Sequence, residues 1–206
     1  MPRTALAVRE AGRRAVTVAG DIGDHTHCRT LVKRAVDEFG RLDTLVNKAA
    51  YQMSRQGIES IAPAEWERTF RPNILAMFSI SQAAWPHLQP DSAVINTVSI
   101  QAYQPSSALL DYATTKGAIV TFTKALAEEG LERGIRVNCV APGPVWTPLI
   151  PTTMPSEKAQ QFGQYSPTGR PTQPAELAPI YVFLAAVESS YIAGEVVGVT
   201  GGKPLA

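Results

Sequence analysis

The chain has 206 residues, 45% of them hydrophobic and 18% charged, which suits a domain with a real core and excludes the composition of a disordered segment. With 19 Lys and Arg against 18 Asp and Glu, the net charge of +1 builds no field for nucleic acid or anionic lipid. Apolar stretches such as Leu177 to Val187 are too short to span a bilayer, and the opening MPRTALAVREAGRR has no signal-peptide pattern.

In chain order, Ala15 to Ala19 (AVTVA) is expected to form a short buried strand ending at Gly20-Asp21. Asp24 then precedes a helix with Cys28, Leu31, Val32, Ala35, Val36 and Phe39 on one face, closed by Gly40. Leu42 to Asn47 (LDTLVN) reads as the next strand. Pro63 sits near a helix start in a segment from Ala62 to about Leu88, striped by Trp66, Phe70, Ile74, Met77 and Phe78. Further strands are expected at Ala93 to Val98, Ile135 to Val140 and Glu195 to Thr200. Helices are expected over Leu110 to Glu132 and Glu176 to Val187.

Between Pro142 and Pro174 the chain is proline-rich and reads as a loop, with a short helix near Glu157 to Phe162. An excursion of that length inside a domain points to a lid or binding loop. Apolar strands alternating with long helices predict an α/β fold, a doubly wound parallel sheet in three layers, as one domain over residues 1–206.

Tyr112 and Lys116 stand four apart on a predicted helix, so both leave the same face. Ser99 ends a strand, and in an open parallel sheet the carboxyl ends of strands border the ligand crevice. A phenol beside an ammonium can exchange a proton with an alcohol, and a serine hydroxyl can hold the oxygen. Taken alone, the same spacing also describes an ordinary pair on a helix surface. Gln101, Tyr103 and Leu109, lying between Ser99 and Tyr112, are candidate substrate-pocket walls, as is Trp146 in the long loop. His25-Thr26-His27 has no third ligand nearby, so no metal is expected. Cys28 and Cys139 form no C-x-x-C, and a reducing, cytoplasmic location is expected.

Several motifs in order carry a resemblance to the short-chain dehydrogenase/reductase family. They are Tyr112-Ala113-Thr114-Thr115-Lys116 for its Y-x-x-x-K and Ser99 within NTVSIQAY. Asn73 within FRPNILAMF matches its relay asparagine, and Pro142-Gly143-Pro144-Val145-Trp146-Thr147 its P-G-x-x-x-T segment. Asp21 matches the aspartate near adenine, Asn47 and Ala49 fall in its N-N-A-G strand end, and Gly201-Gly202 is also typical.

The resemblance implies hydride exchange between NAD or NADP and an alcohol or carbonyl substrate. In it Tyr112 is acid and base, Lys116 lowers the tyrosine pKa and binds the nicotinamide ribose, Ser99 positions the carbonyl and Asn73 serves a proton relay. It further implies cofactor contacts from Asp21, Ile22, Asn47, Ala49, Tyr112, Lys116, Pro142, Gly143, Val145 and Thr147, and a homodimer or homotetramer.

The sequence departs from the family in places. No G-x-x-x-G-x-G or G-x-G-x-x-G occurs in it, so the Rossmann-like fold is expected to lack its first βαβ unit, as in an N-terminally truncated form. Ala15 to Ala19 would then have no partner, and Leu42 to Asn47 would expose an edge. Lys48 replaces the second asparagine of N-N-A-G, Ala50 replaces its glycine, and Pro72 enters a helix just before Asn73. Against the oxidoreductase reading stands a catalytically silent binding or scaffolding protein with the same core.

Overall fold

Asp24 accepts a hydrogen bond from the amide of Thr26 and so starts α2 (His25–Phe39), which Gly40 ends in the left-handed conformation with φ 78°. The computed structural model describes residues 2–205. Before α2 lies α1 (Pro2–Glu10), and after it β1 (Leu42–Asn47). The chain continues through α3 (Pro63–Phe70), a π-turn over Arg71–Leu75, α4 (Ala76–Ala84) and β2 (Leu88–Thr97). Then follow α5 (Leu110–Leu131), β3 (Arg136–Pro142), the short helices α6 (Leu149–Thr153) and α7 (Ser156–Gln160), α8 (Pro174–Ala185) and β4 (Val196–Val199).

The four strands form one parallel sheet in the order β1-β2-β3-β4. Side chains alternate across it. Val94 and Val137 pack with Ala127 of α5, whereas Ile95 and Val140 pack with Leu184 of α8. Helices therefore lie on both faces, the three-layer arrangement that the strand–helix alternation predicts. The fold is Rossmann-like.

The segment Ala15 to Ala19 forms no strand and joins none of the four. An apolar run becomes a strand only when a neighbour takes up its backbone donors and acceptors, and none of the described strands pairs with it. β2 starts earlier than the apolar run suggests. Leu88 pairs with Leu42, the chain bulges through Pro90 and Asp91 (φ 70°), and regular pairing resumes at Ala93 opposite Thr44.

The expected helix from Ala62 to Leu88 is interrupted. Pro72 has no amide to donate, and the helix widens there, the Ala76 amide reaching back five residues to the Arg71 carbonyl. The long loop holds two short helices rather than one. Its base is pinched shut where Trp146 donates to the Thr172 carbonyl and Thr172 to the Pro144 carbonyl, both at 2.9 Å.

Candidate active site

β2 ends at Thr97, and Ser99 caps a short turn over Ile100–Ala102 by accepting the Gln101 amide at 3.2 Å. On α5 the first turn is pinned from two sides. Buried Asp111 accepts the Thr69 hydroxyl at 2.6 Å and the Tyr112 amide at 2.8 Å. Thr115 donates to the Tyr112 carbonyl and receives the amide of Asn73 at 3.0 Å. Sequence reasoning missed Asp111 and Thr69. A carboxylate directly before the tyrosine was the available signal.

This scaffold sets Tyr112 in the same cavity wall as Ser99, whose side chain favours the ionised phenol. Lys116 is 2% exposed, donates to the Thr97 carbonyl at 2.8 Å and holds its ammonium 5.2 Å from the centre of the Tyr112 ring. The phenol, amine and hydroxyl expected together are together. Burial pushes the Tyr112 phenol up to about 12, against the pull of Ser99. Burial, followed by repulsion from Lys48, brings Lys116 down to about 7. Thus the lowered phenol pKa expected from Lys116 is not a property of the chain by itself. Desolvation outweighs the pull of Ser99.

The three groups line a cavity of about 320 Å³ at the carboxyl ends of the strands. Its wall also includes Gln101, Leu109, Pro142, Gly143, Val145 and Thr147, all sequence candidates, together with Lys48. Gly143 is needed where it stands, because a Cβ would meet the Thr200 backbone at 2.9 Å. Lys203, Phe162 and Met154, which the sequence did not single out, also line it. A larger cleft of about 640 Å³ adjoins at Met154 but does not include Tyr112, Lys116 or Ser99. Tyr103 and Trp146 lie outside the cavity wall. Tyr103 closes the turn after Ser99, and the half-exposed indole of Trp146 tilts against Phe162 at 6.4 Å.

The adenosine-side candidates are dispersed. Asp21 turns its carboxylate back to the Gly23 amide and borders a separate cleft with Tyr51 and Arg71. Ile22, Asn47 and Ala49 line a small groove over β1. Asn47 spends its amide on Ser81 at 3.1 Å and Asn96 at 2.9 Å, tying β1 to β2. Asn73, 2% exposed, clamps both backbone groups of Tyr51 at 2.7 and 2.9 Å. The donor set around Lys116, Tyr112 and the Pro142–Thr147 loop fits the ribose and amide of a nicotinamide. The spacing G-x-x-x-G-x-G does not occur among the residues that line these clefts.

A family model described as enoyl-(acyl carrier protein) reductase matches residues 2–203. An uncharacterized oxidoreductase of Bacillus subtilis, YhdF, is 50% identical over 200 residues, covering 97% of this chain and 69% of its own length. A short-chain dehydrogenase/reductase from Serratia marcescens superposes with a TM-score of 0.90 at 33% identity, covering 98% of this chain and 81% of that one. The 3-ketoacyl-(acyl-carrier-protein) reductase of Brucella melitensis, solved with NADH, gives 0.86 at 32% identity, covering 97% and 83%. The carboxyl-end cavity, the Ser99–Tyr112–Lys116 cluster and these matches agree: the chain belongs to the short-chain dehydrogenase/reductase family.

Proposed function

We propose that this chain carries the proton-transfer and nicotinamide-side machinery of an NAD(P)-dependent oxidoreductase acting on an alcohol or carbonyl compound. The observation that carries this reading is the convergence of Ser99, Tyr112 and buried Lys116 on one cavity wall, with the Lys116 ammonium 5.2 Å from the centre of the Tyr112 ring. A nicotinamide, when bound, supplies or accepts the hydride. The protein's part is orientation and proton handling. Ser99 and Tyr112 together grip the substrate oxygen. As a carbonyl is reduced, the Tyr112 hydroxyl releases its proton to that oxygen, and in the reverse direction it takes one up.

Lys116 is held by the Thr97 carbonyl, so its other N–H bonds remain for the phenolate and a ribose. Pro142, Gly143, Val145 and Thr147 wall the nicotinamide side. Asn73 serves the relay behind Lys116 by fixing the Tyr51 and Thr115 positions around it. Asp21, Ile22, Asn47 and Ala49 serve the adenosine side.

The reading includes a homodimer or homotetramer, supported by exposed Val182, Phe183 and Val187 on and after α8. It also includes a cytoplasmic setting, supported by unpaired, buried Cys28 and Cys139. Among the described residues no helix is long and apolar enough to cross a membrane. A silent binding protein is the second reading, favoured by the separation of the adenosine-side residues into other clefts.

Titration with NADH and NADPH, followed by cofactor oxidation in the presence of aldehydes and ketones, separates the two. Saturable binding with turnover supports the oxidoreductase. Binding of neither cofactor supports the silent reading.

A further inference from the structure

The cavity has a charge pattern that the hydride chemistry does not require. Three lysines, Lys48, Lys116 and Lys203, line it, and none of its lining residues is Asp or Glu. No ion pair among the described residues uses any of the three. Some cations elsewhere are paired, as in Arg170 with Glu176 at 2.7 Å and Arg55 with Glu65. Uncompensated cations converging on a concave, partly desolvated site focus a positive potential into it.

Lys203 is held there. Its carbonyl accepts the Thr200 hydroxyl, the next carbonyl, of Pro204, accepts the Gln104 amide at 2.9 Å, and Leu205 packs on the core. Gln104 belongs to the turn that begins at Ser99, so the tail carrying Lys203 is tied to the substrate-oxygen side of the cavity. Lys48 stands at the end of β1, its ammonium 5.3 Å from the centre of the Tyr181 ring.

We propose that the substrate carries an anionic group, a carboxylate or a phosphate, held mainly by Lys203 with Lys48 as a second cation, while its carbonyl lies at Ser99 and Tyr112. The proposal rests on the oxidoreductase reading for the carbonyl end and adds the chemistry of the other end.

The test is calorimetric titration of the purified chain, without cofactor, with 4-oxopentanoate and with its methyl ester. The two share a ketone and differ in charge. The expected result is at least tenfold tighter binding of the acid, weakened by salt, with the preference falling to near unity in Lys203→Gln and retained in Lys203→Arg. Lys48→Asn is expected to reduce it about threefold. Melting curves confirm that each variant folds.

Equal affinity for acid and ester overturns the proposal, as does no measurable binding of the acid. So does a Lys203→Gln chain that keeps the preference. A Lys203→Gln chain that loses NADPH affinity but keeps the preference assigns the lysine to the cofactor and also overturns it. Failure of the oxidoreductase reading is a separate outcome. The acid would then bind by charge while no carbonyl is reduced with either cofactor.

Discussion

At the scale of single residues, burial holds the two proton-transfer groups, Tyr112 and Lys116, towards their neutral forms. Tyr112 is kept protonated and Lys116 is kept close to losing its proton, both because the cavity desolvates them. The consequence for stability has a definite sign. Lys116 has a folded pKa of about 7 against an ordinary value of 10.5. Between those values the unfolded chain binds more protons than the folded one, so stability rises as pH climbs from about 7 towards 10. Tyr112 has its folded pKa raised, so stability falls again as pH passes from 10 towards 12.

Chemical denaturation at a series of pH values should show that rise, on the order of a few kcal/mol. It should be absent in Lys116→Met. A flat profile for the parent chain would show that the amine is not desolvated. The face shared by Tyr112 and Lys116 was legible from their spacing. The net direction of the phenol's shift was not, because burial depends on the surrounding elements rather than on the two residues.

At the scale of elements, the helix interrupted at Pro72 and the first turn of α5 act as one unit. Asn73 satisfies both the amide and the carbonyl of Tyr51 and also reaches Thr115. Asn73→Ala should cost about 2–3 kcal/mol, because buried partners are left unpaired. Hydrogen exchange at the Tyr51 amide should accelerate with it, and an unchanged rate there would contradict this role. Asp24→Ala should cost about 1 kcal/mol through loss of the α2 cap, measurable in urea.

Helix starts and stops were readable where one residue does the work, as with Asp24 and Gly40. Pro72 was readable as a disturbance, but the widened turn that absorbs it depends on α3 and α4 both being held by packing. The second helix in the long loop escaped notice because five residues such as Leu149–Thr153, with a proline inside, carry no periodicity.

At the scale of the whole molecule, the sheet runs from β1 at one edge to β4 at the other. β1 pairs only with β2 among the described strands, and Val46 on it is 44% exposed. An open apolar edge invites pairing with another chain. Val46→Lys should lower concentration-dependent light scattering while leaving the melting temperature within a few degrees. No change in scattering would show that the edge is already protected. The strand sequence and the expected lack of a first βαβ unit together made this edge legible. Ala15 to Ala19 was legible as a strand only in composition, since strand formation is a property of pairs.

The convergence of Lys48 and Lys203, far apart in sequence, was invisible until the tail was seen to fold back on the turn after Ser99. The cavity thus joins the end of β1 to the C-terminal tail, and the phenol in its wall decides whether it is an active site. The most direct test is single-turnover transfer of deuterium from NADPH labelled at C4 to a carbonyl substrate, comparing the parent chain with Tyr112→Phe. The expected result is transfer by the parent and a loss of about 10²–10⁴-fold in the variant, with NADPH affinity kept within a few-fold. Transfer by Tyr112→Phe at the parent's rate would contradict the account.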